Sequence, residues 1–225
     1  MTDDDITRLF NQSEPPPDAE AIKRIGEQLK ATLVPVRPLP SDTFLWAISV
    51  GLFAVISFIV ALATKLYGLS ALSGPQIAVY YGALLIFAGL FARSLVEQMI
   101  PGSRRFIPAF ALSASAFCVL GILVFLLFDD RSTEKFVALG IPCLRLGCIG
   151  AAISGLLGWG LFRRGYLVTP RETITIYGLF AGLVGVAVLA LHCPFLNSLH
   201  FIVWHLGAMA LAGLAGMALG RYADR

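Results

Sequence analysis

Charge is what this sequence has least of. Only 14% of its 225 residues are Asp, Glu, Lys or Arg, and 57% are hydrophobic. Soluble domains carry about 25% charged residues, and a soluble fold of this length could not hide so much apolar surface. Basic clusters are missing too, and with a net charge of +3 this argues against direct binding of nucleic acid. Four cysteines are too few for a disulfide scaffold. The chain holds no Walker loop, no HExxH and no GxSxG, and no carboxylate pair faces a predicted cavity. It therefore reads as a non-enzyme without a cofactor. No cleavable signal peptide is expected, because the start Met1-Thr-Asp-Asp-Asp5 is acidic where such a signal is basic.

What the chain does have is long apolar runs, giving a mean hydropathy of +0.80. Six segments approach the roughly 20 residues that cross a bilayer. They run about Phe44–Thr64, Gln76–Ala92, Ile107–Phe128, Pro142–Phe162, Thr173–Leu191 and Phe201–Leu219, and the second can continue to Met99. The expectation is an all-α, polytopic membrane protein, a six-transmembrane-helix bundle spanning residues 43–220, with a polar head at 1–42 and a short tail at 221–225. Lys and Arg collect in the head (Arg8, Lys23, Arg24, Lys30, Arg37), in the second and fourth connections (Arg93, Arg104, Arg105; Arg163, Arg164, Arg171) and in the tail (Arg221, Arg225). Only Lys65, Arg131, Lys135 and Arg145 fall to the other side. By the positive-inside rule both termini are cytoplasmic.

In the head, Asp3, Asp4 and Asp5 precede an apolar face of Ile6, Leu9 and Phe10, which Pro15, Pro16 and Pro17 break. Asp18 is placed to cap a second helix with Ile22, Ile25 and Leu29 on one stripe. So small a head has no core of its own, and such stripes order on a partner groove or lie on a membrane surface. The acidic Asp18, Glu20 and Glu27 favour the partner.

The helix middles carry essentially no ionisable residues, which argues against a transporter or pump. The polar groups gather instead at the outer ends. Cys143 is expected to begin the fourth helix and Cys193 to end the fifth; His192, His200 and His205 lie nearby, with Cys148 deeper on another face of its helix. Cys118 is expected to be a packing residue, and Asp129-Asp130 a solvated loop pair. Two readings of the outer group stand. Cys143 and Cys193 form a thiol pair that an oxidant or thiophilic metal reaches from outside, with Arg145 favouring the thiolates; or the cysteines are packing residues and the histidines interfacial, like Trp204. The spacing fits no standard zinc signature, so no metal site is assigned.

Cys143, Arg163-Arg164-Gly165, the Gly-rich fifth helix, His192-Cys193-Pro194 and Phe201-Ile-Val-Trp-His205 together resemble the NrsF-like family. These are six-helix inner-membrane proteins that negatively regulate an extracytoplasmic-function (ECF) sigma factor. The head shares the resemblance in its acidic start and its Pro-Val-Arg-Pro-Leu-Pro stretch. It implies a bacterial inner-membrane protein that holds its sigma factor inactive at the cytoplasmic face until an envelope signal releases it. It also implies two cysteines that sense oxidative or heavy-metal stress, which match Cys143 and Cys193; Cys118 and Cys148 match no family cysteine. The sigma factor and the bilayer are then the expected partners. A small permease or channel for a metal or neutral solute, entered through the outer Cys/His group, is the alternative.

Overall fold

Five of the six long apolar helices begin where a capping side chain or a proline stands beside an apolar run. The structure, a computed structural model, describes residues 18–32, 40–100, 107–162 and 169–223. It divides into two units, Met1–Pro38 and Leu39–Arg225. In the first unit α1 (Ala19–Thr32) starts as the sequence predicts, with the Glu20 amide donating to Asp18 Oδ1 at 3.1 Å. On its stripe Ile22 and Ile25 are 55% and 56% exposed. Asp3, Asp4, Ile6, Leu9 and Phe10 lie outside the described residues, as does the side chain of Leu29.

The second unit holds α2 (Asp42–Thr64), the short α3 (Tyr67–Ala71), α4 (Gly74–Met99), α5 (Ala109–Leu127), α6 (Phe136–Phe162), α7 (Pro170–His192) and α8 (Ser198–Ala223). All but α3 are long and apolar enough to cross a membrane, so the expected all-α architecture with six such helices is what the structure has. Among the described residues the only strand-like pairing is an isolated parallel bridge between Asp130 and Asn197. Ser41 caps α2, accepting from the Phe44 amide at 3.3 Å. Ser73 opens α4: its amide donates to Gln76 Oε1 at 3.0 Å, and Gln76 Nε2 donates across to the Leu127 carbonyl at 2.8 Å, tying the start of α4 to the end of α5.

One helix boundary departs from expectation. The fourth long helix was expected to open at Pro142, since proline favours a first turn. It opens at Phe136 and carries Pro142 inside, so Cys143 sits well within the helix rather than at its start. As the seventh helical residue Pro142 lies past the first turn and offers no amide to the Ala138 carbonyl, a loss that membrane helices tolerate where neighbouring groups re-satisfy the backbone.

α7 is the centre of the bundle. Of its most apolar stretch 78% is buried, against 22% for α5 and α6. Leu183, Val184, Val186, Val188 and Leu189 are fully enclosed. Outside, the apolar side chains face away from the core: Phe110 is 85% exposed and Leu156 78%. Apolar surface on this scale is favourable in lipid and unfavourable in water.

Two sets of contacts mark opposite ends of the helices. At one end the Trp46 indole donates to the Gly89 carbonyl, Arg93 bonds Glu97 at 2.8 Å and Asp42 at 3.4 Å, and Thr173 donates to Gln98 Oε1 at 2.8 Å. At the other, Ser198 donates through amide and hydroxyl to the Asp130 carbonyl, and Asn197 donates to the Ser132 carbonyl. Asp129-Asp130 is thus more than a solvated pair. Its second residue fastens the α5–α6 loop to the start of α8, while the Ser132 amide, donating to its carboxylate, holds that carboxyl below its usual range.

Candidate functional site

Gly147 lies one turn beyond Cys143 on α6, and a Cβ on Gly185 of α7 would run into the Gly147 carbonyl oxygen. The two backbones therefore touch, which neither helix could do with a side chain at that point. The approach carries Cys143 to the end of α7, where Cys193 follows His192. Their Sγ atoms are 3.7 Å apart. Gly185→Val is expected to force α6 from α7 at a cost of about 1–3 kcal/mol. Thermal unfolding in detergent reads that loss, and the yield of Cys143–Cys193 cross-link under mild oxidant should fall with it.

The histidines arrive by a different device. Asn197 caps α8, its side chain accepting from the His200 amide at 2.9 Å. The next stretch, Phe201–His205, is a π-helical turn in which the Leu206 amide bonds the Phe201 carbonyl five residues back. In a regular α-helix, residues five apart point about 140° from each other. The wider turn brings His200 and His205 onto one side, with ring centroids 5.4 Å apart. His200 Nε2 lies 3.6 Å from Cys193 Sγ.

Cys143, Cys193, His200 and His205 thus form one cluster whose donor atoms all lie within 4.8 Å of one another. Cys143 keeps 9% exposure, Cys193 1%, His200 3% and His205 none. Both ring nitrogens of His205 are enclosed without a hydrogen-bond partner in the protein. Leu189 and Ala208 pack around the sulfurs, and Phe201 stacks near His205 at 4.0 Å between centroids. α3 closes the cluster from the loop side: a Cβ on Gly68 would strike the carbonyls of Ala190 and Cys193.

The remaining residues of the expected outer group are not among the four donors, although Cys148 packs against the cluster. His192 Nδ1 donates to the Lys65 carbonyl at 3.0 Å, which fixes Lys65 at its positive φ of 74°. Cys148 borders an apolar cavity of about 940 Å³ between α6, α7 and α8. Arg145 is exposed and outside the cluster. Cys118 is exposed on α5 rather than packed in the core, because the α5 residues facing the interior are Leu112, Ala116, Leu120 and Val124. Sequence reasoning named all four members of the cluster but missed Gly147 and Gly185, which let the helices meet, and the π turn, which joins the histidines.

Residues 29–225 match the family NrsF, described as negative regulator of sigma F. No curated protein and no solved structure matches the chain. The match spans nearly the whole sequence, and the chain belongs to this family.

Proposed function

We propose that this NrsF-family chain is a membrane-embedded anti-sigma factor. It binds an ECF sigma factor at the cytoplasmic face of the bacterial inner membrane, and releases it when Cys143 and Cys193 meet an oxidant or thiophilic metal from the opposite side. The observation that carries the reading is the family match over residues 29–225, whose description implies negative regulation of a sigma factor. The skew of Lys and Arg toward the head, the connections at 93–105 and 163–171 and the tail supports an orientation with both termini inside. The first 28 residues precede the family match. The role of the head therefore rests on its own pattern, the exposed Ile22 and Ile25 on one stripe, which suits a groove on a partner.

The cysteine pair can carry the signal in simple chemistry. A two-electron oxidant such as a hydroperoxide takes two protons and two electrons from the thiol pair: the two S–H bonds break, one S–S bond forms, and the peroxide leaves as alcohol and water. The sulfurs must then close from 3.7 Å to about 2.05 Å. That movement pulls the end of α7, the buried centre of the bundle, against α6. The far end of α7 is tied through Thr173 to Gln98 and adjoins the connection at 163–169 on the sigma-factor side. A signal acts by favouring one of two packings, and a single enclosed helix linking both ends is suited to that. The permease alternative carries less support, since its entrance groups close on one another beneath α3.

Affinity purification of the full chain from its native host, solubilised in mild detergent, tests the reading. An ECF sigma factor should be retained in stoichiometric yield. A sample that retains no sigma factor, from cells in which the sigma factor is present and silent, contradicts it.

A further inference from the structure

We infer that Cys143, Cys193, His200 and His205 are a four-coordinate site for one divalent, thiophilic metal ion of the zinc class. This deepens the sensor reading by naming a ligand and two further ligating residues, and it rests on that reading only for its place in signalling.

Three observations converge on the site. The first is its dimensions. Zinc bonds sulfur at about 2.3 Å and imidazole nitrogen at about 2.0–2.1 Å, so a tetrahedron has S···S edges near 3.8 Å and S···N edges near 3.6 Å. The Cys143–Cys193 and Cys193–His200 distances are 3.7 Å and 3.6 Å. A disulfide would need about 2.05 Å between the sulfurs. The two edges thus already have the separation that a shared ion imposes, and the remaining donor-to-donor distances stay within 4.8 Å. Closing the longest of them takes roughly an ångström of side-chain movement.

The second is His205. A histidine with no exposure and neither nitrogen hydrogen-bonded to the protein stands in a setting where each buried, unmet polar atom is costly. Its ring faces the other donors, and a metal bond supplies the missing partner. The π turn, a local departure from regular helix that recurs at functional sites, is what presents it there.

The third is charge. On binding, each cysteine loses its S–H proton to solvent, two sulfur–metal bonds form, and the two neutral imidazoles donate lone pairs. No electron changes hands. Two thiolates cancel the charge of a divalent ion, so the loaded site is neutral, as a position enclosed among Leu189, Ala208 and Phe201 requires. Two sulfurs with two imidazoles favour zinc-class ions over calcium or magnesium, which take oxygen ligands. The ligand spacing in sequence fits no zinc-finger pattern because the donors come from three separate segments.

The full chain, purified in detergent with reductant and stripped by a chelator, provides the test. Cobalt(II) added as a spectroscopic probe should bind at one equivalent with thiolate-to-metal charge transfer and the intense visible bands of a tetrahedral ion. Two protons should be released per ion, and zinc should displace the cobalt. X-ray absorption of the zinc-loaded wild type should show two sulfur and two nitrogen neighbours at about 2.3 and 2.0 Å, which needs no variant to fold. H200A and H205A should each weaken zinc binding by more than about 100-fold, beyond the usual effect of outer-shell changes; H192A should leave it unchanged. Absence of cobalt binding, a spectrum without nitrogen ligands, or full affinity in H200A and H205A overturns the site. The sensor reading fails separately. Zinc bound by two sulfurs and two nitrogens, in a protein whose C143S variant still induces normally in cells, upholds the site and removes its signalling role.

Discussion

Serine at Cys143 or at Cys193 is expected to abolish induction of the sigma-factor regulon by oxidant and by thiophilic metal, leaving basal repression intact. Each substitution removes one sulfur from a pair 3.7 Å apart, and one sulfur can neither close a disulfide nor complete a two-thiolate site. The expected loss is large because a switch of this kind is steep. Moving a two-state equilibrium from 1:99 to 99:1 takes about 5.5 kcal/mol of differential interaction, and hydrogen bonds of about 1 kcal/mol do not replace that. Serine is close in size to cysteine, so the bundle should assemble unchanged. A promoter reporter measures the effect, with C118S and C148S as companions that should induce normally: Cys118 is exposed on α5, and Cys148 borders the apolar cavity. Full induction in both C143S and C193S would sink the sensing account.

The second large effect lies in the head. Ile22→Asp combined with Ile25→Asp should release the sigma factor without any inducer. The two side chains stand on one stripe of α1 and are more than half exposed. In helix-in-groove recognition such i, i+3 anchors carry most of the affinity. Losing two hot spots at about 2 kcal/mol each predicts sigma-factor binding weakened by roughly a thousandfold. Deleting residues 1–40 should act at least as strongly. The same reporter should read constitutively high in both cases, while the protein still reaches the membrane. Repression that survives the deletion would move the binding surface to the cytoplasmic connections.

The architecture was legible because bilayer-length apolar runs declare themselves in composition alone. Ser41, Ser73 and Pro170 stand at helix starts that the apolar runs placed two or three residues later, at Phe44, Gln76 and Thr173. Pro142 misled for a physical reason: proline suits a first turn, yet it is tolerated inside a membrane helix where neighbouring groups re-satisfy the backbone. The cluster was only half legible. Charge asymmetry set Cys143 and Cys193 at the same end of the bundle, but the distance between them depends on Gly147 meeting Gly185, and pairwise backbone contact leaves no mark in a single sequence. The histidines were harder. A regular helical wheel separates His200 from His205, and the π turn that unites them depends on tertiary packing around Phe201 and Trp204, which sequence periodicity does not encode. Cys118 went the other way, since cysteine is a small hydrophobe that suits either core or lipid.

The central claim is that chemistry at Cys143 and Cys193 controls sigma-factor binding. Its most direct test is the affinity of the full chain, held in lipid nanodiscs, for its purified ECF sigma factor before and after treatment with hydroperoxide or zinc. The account predicts tight binding by the reduced, metal-free protein, loss of at least about tenfold in affinity after either treatment, corresponding to about 1.4 kcal/mol, and no change in C143S. An affinity that is the same in every state of the cysteines would contradict it.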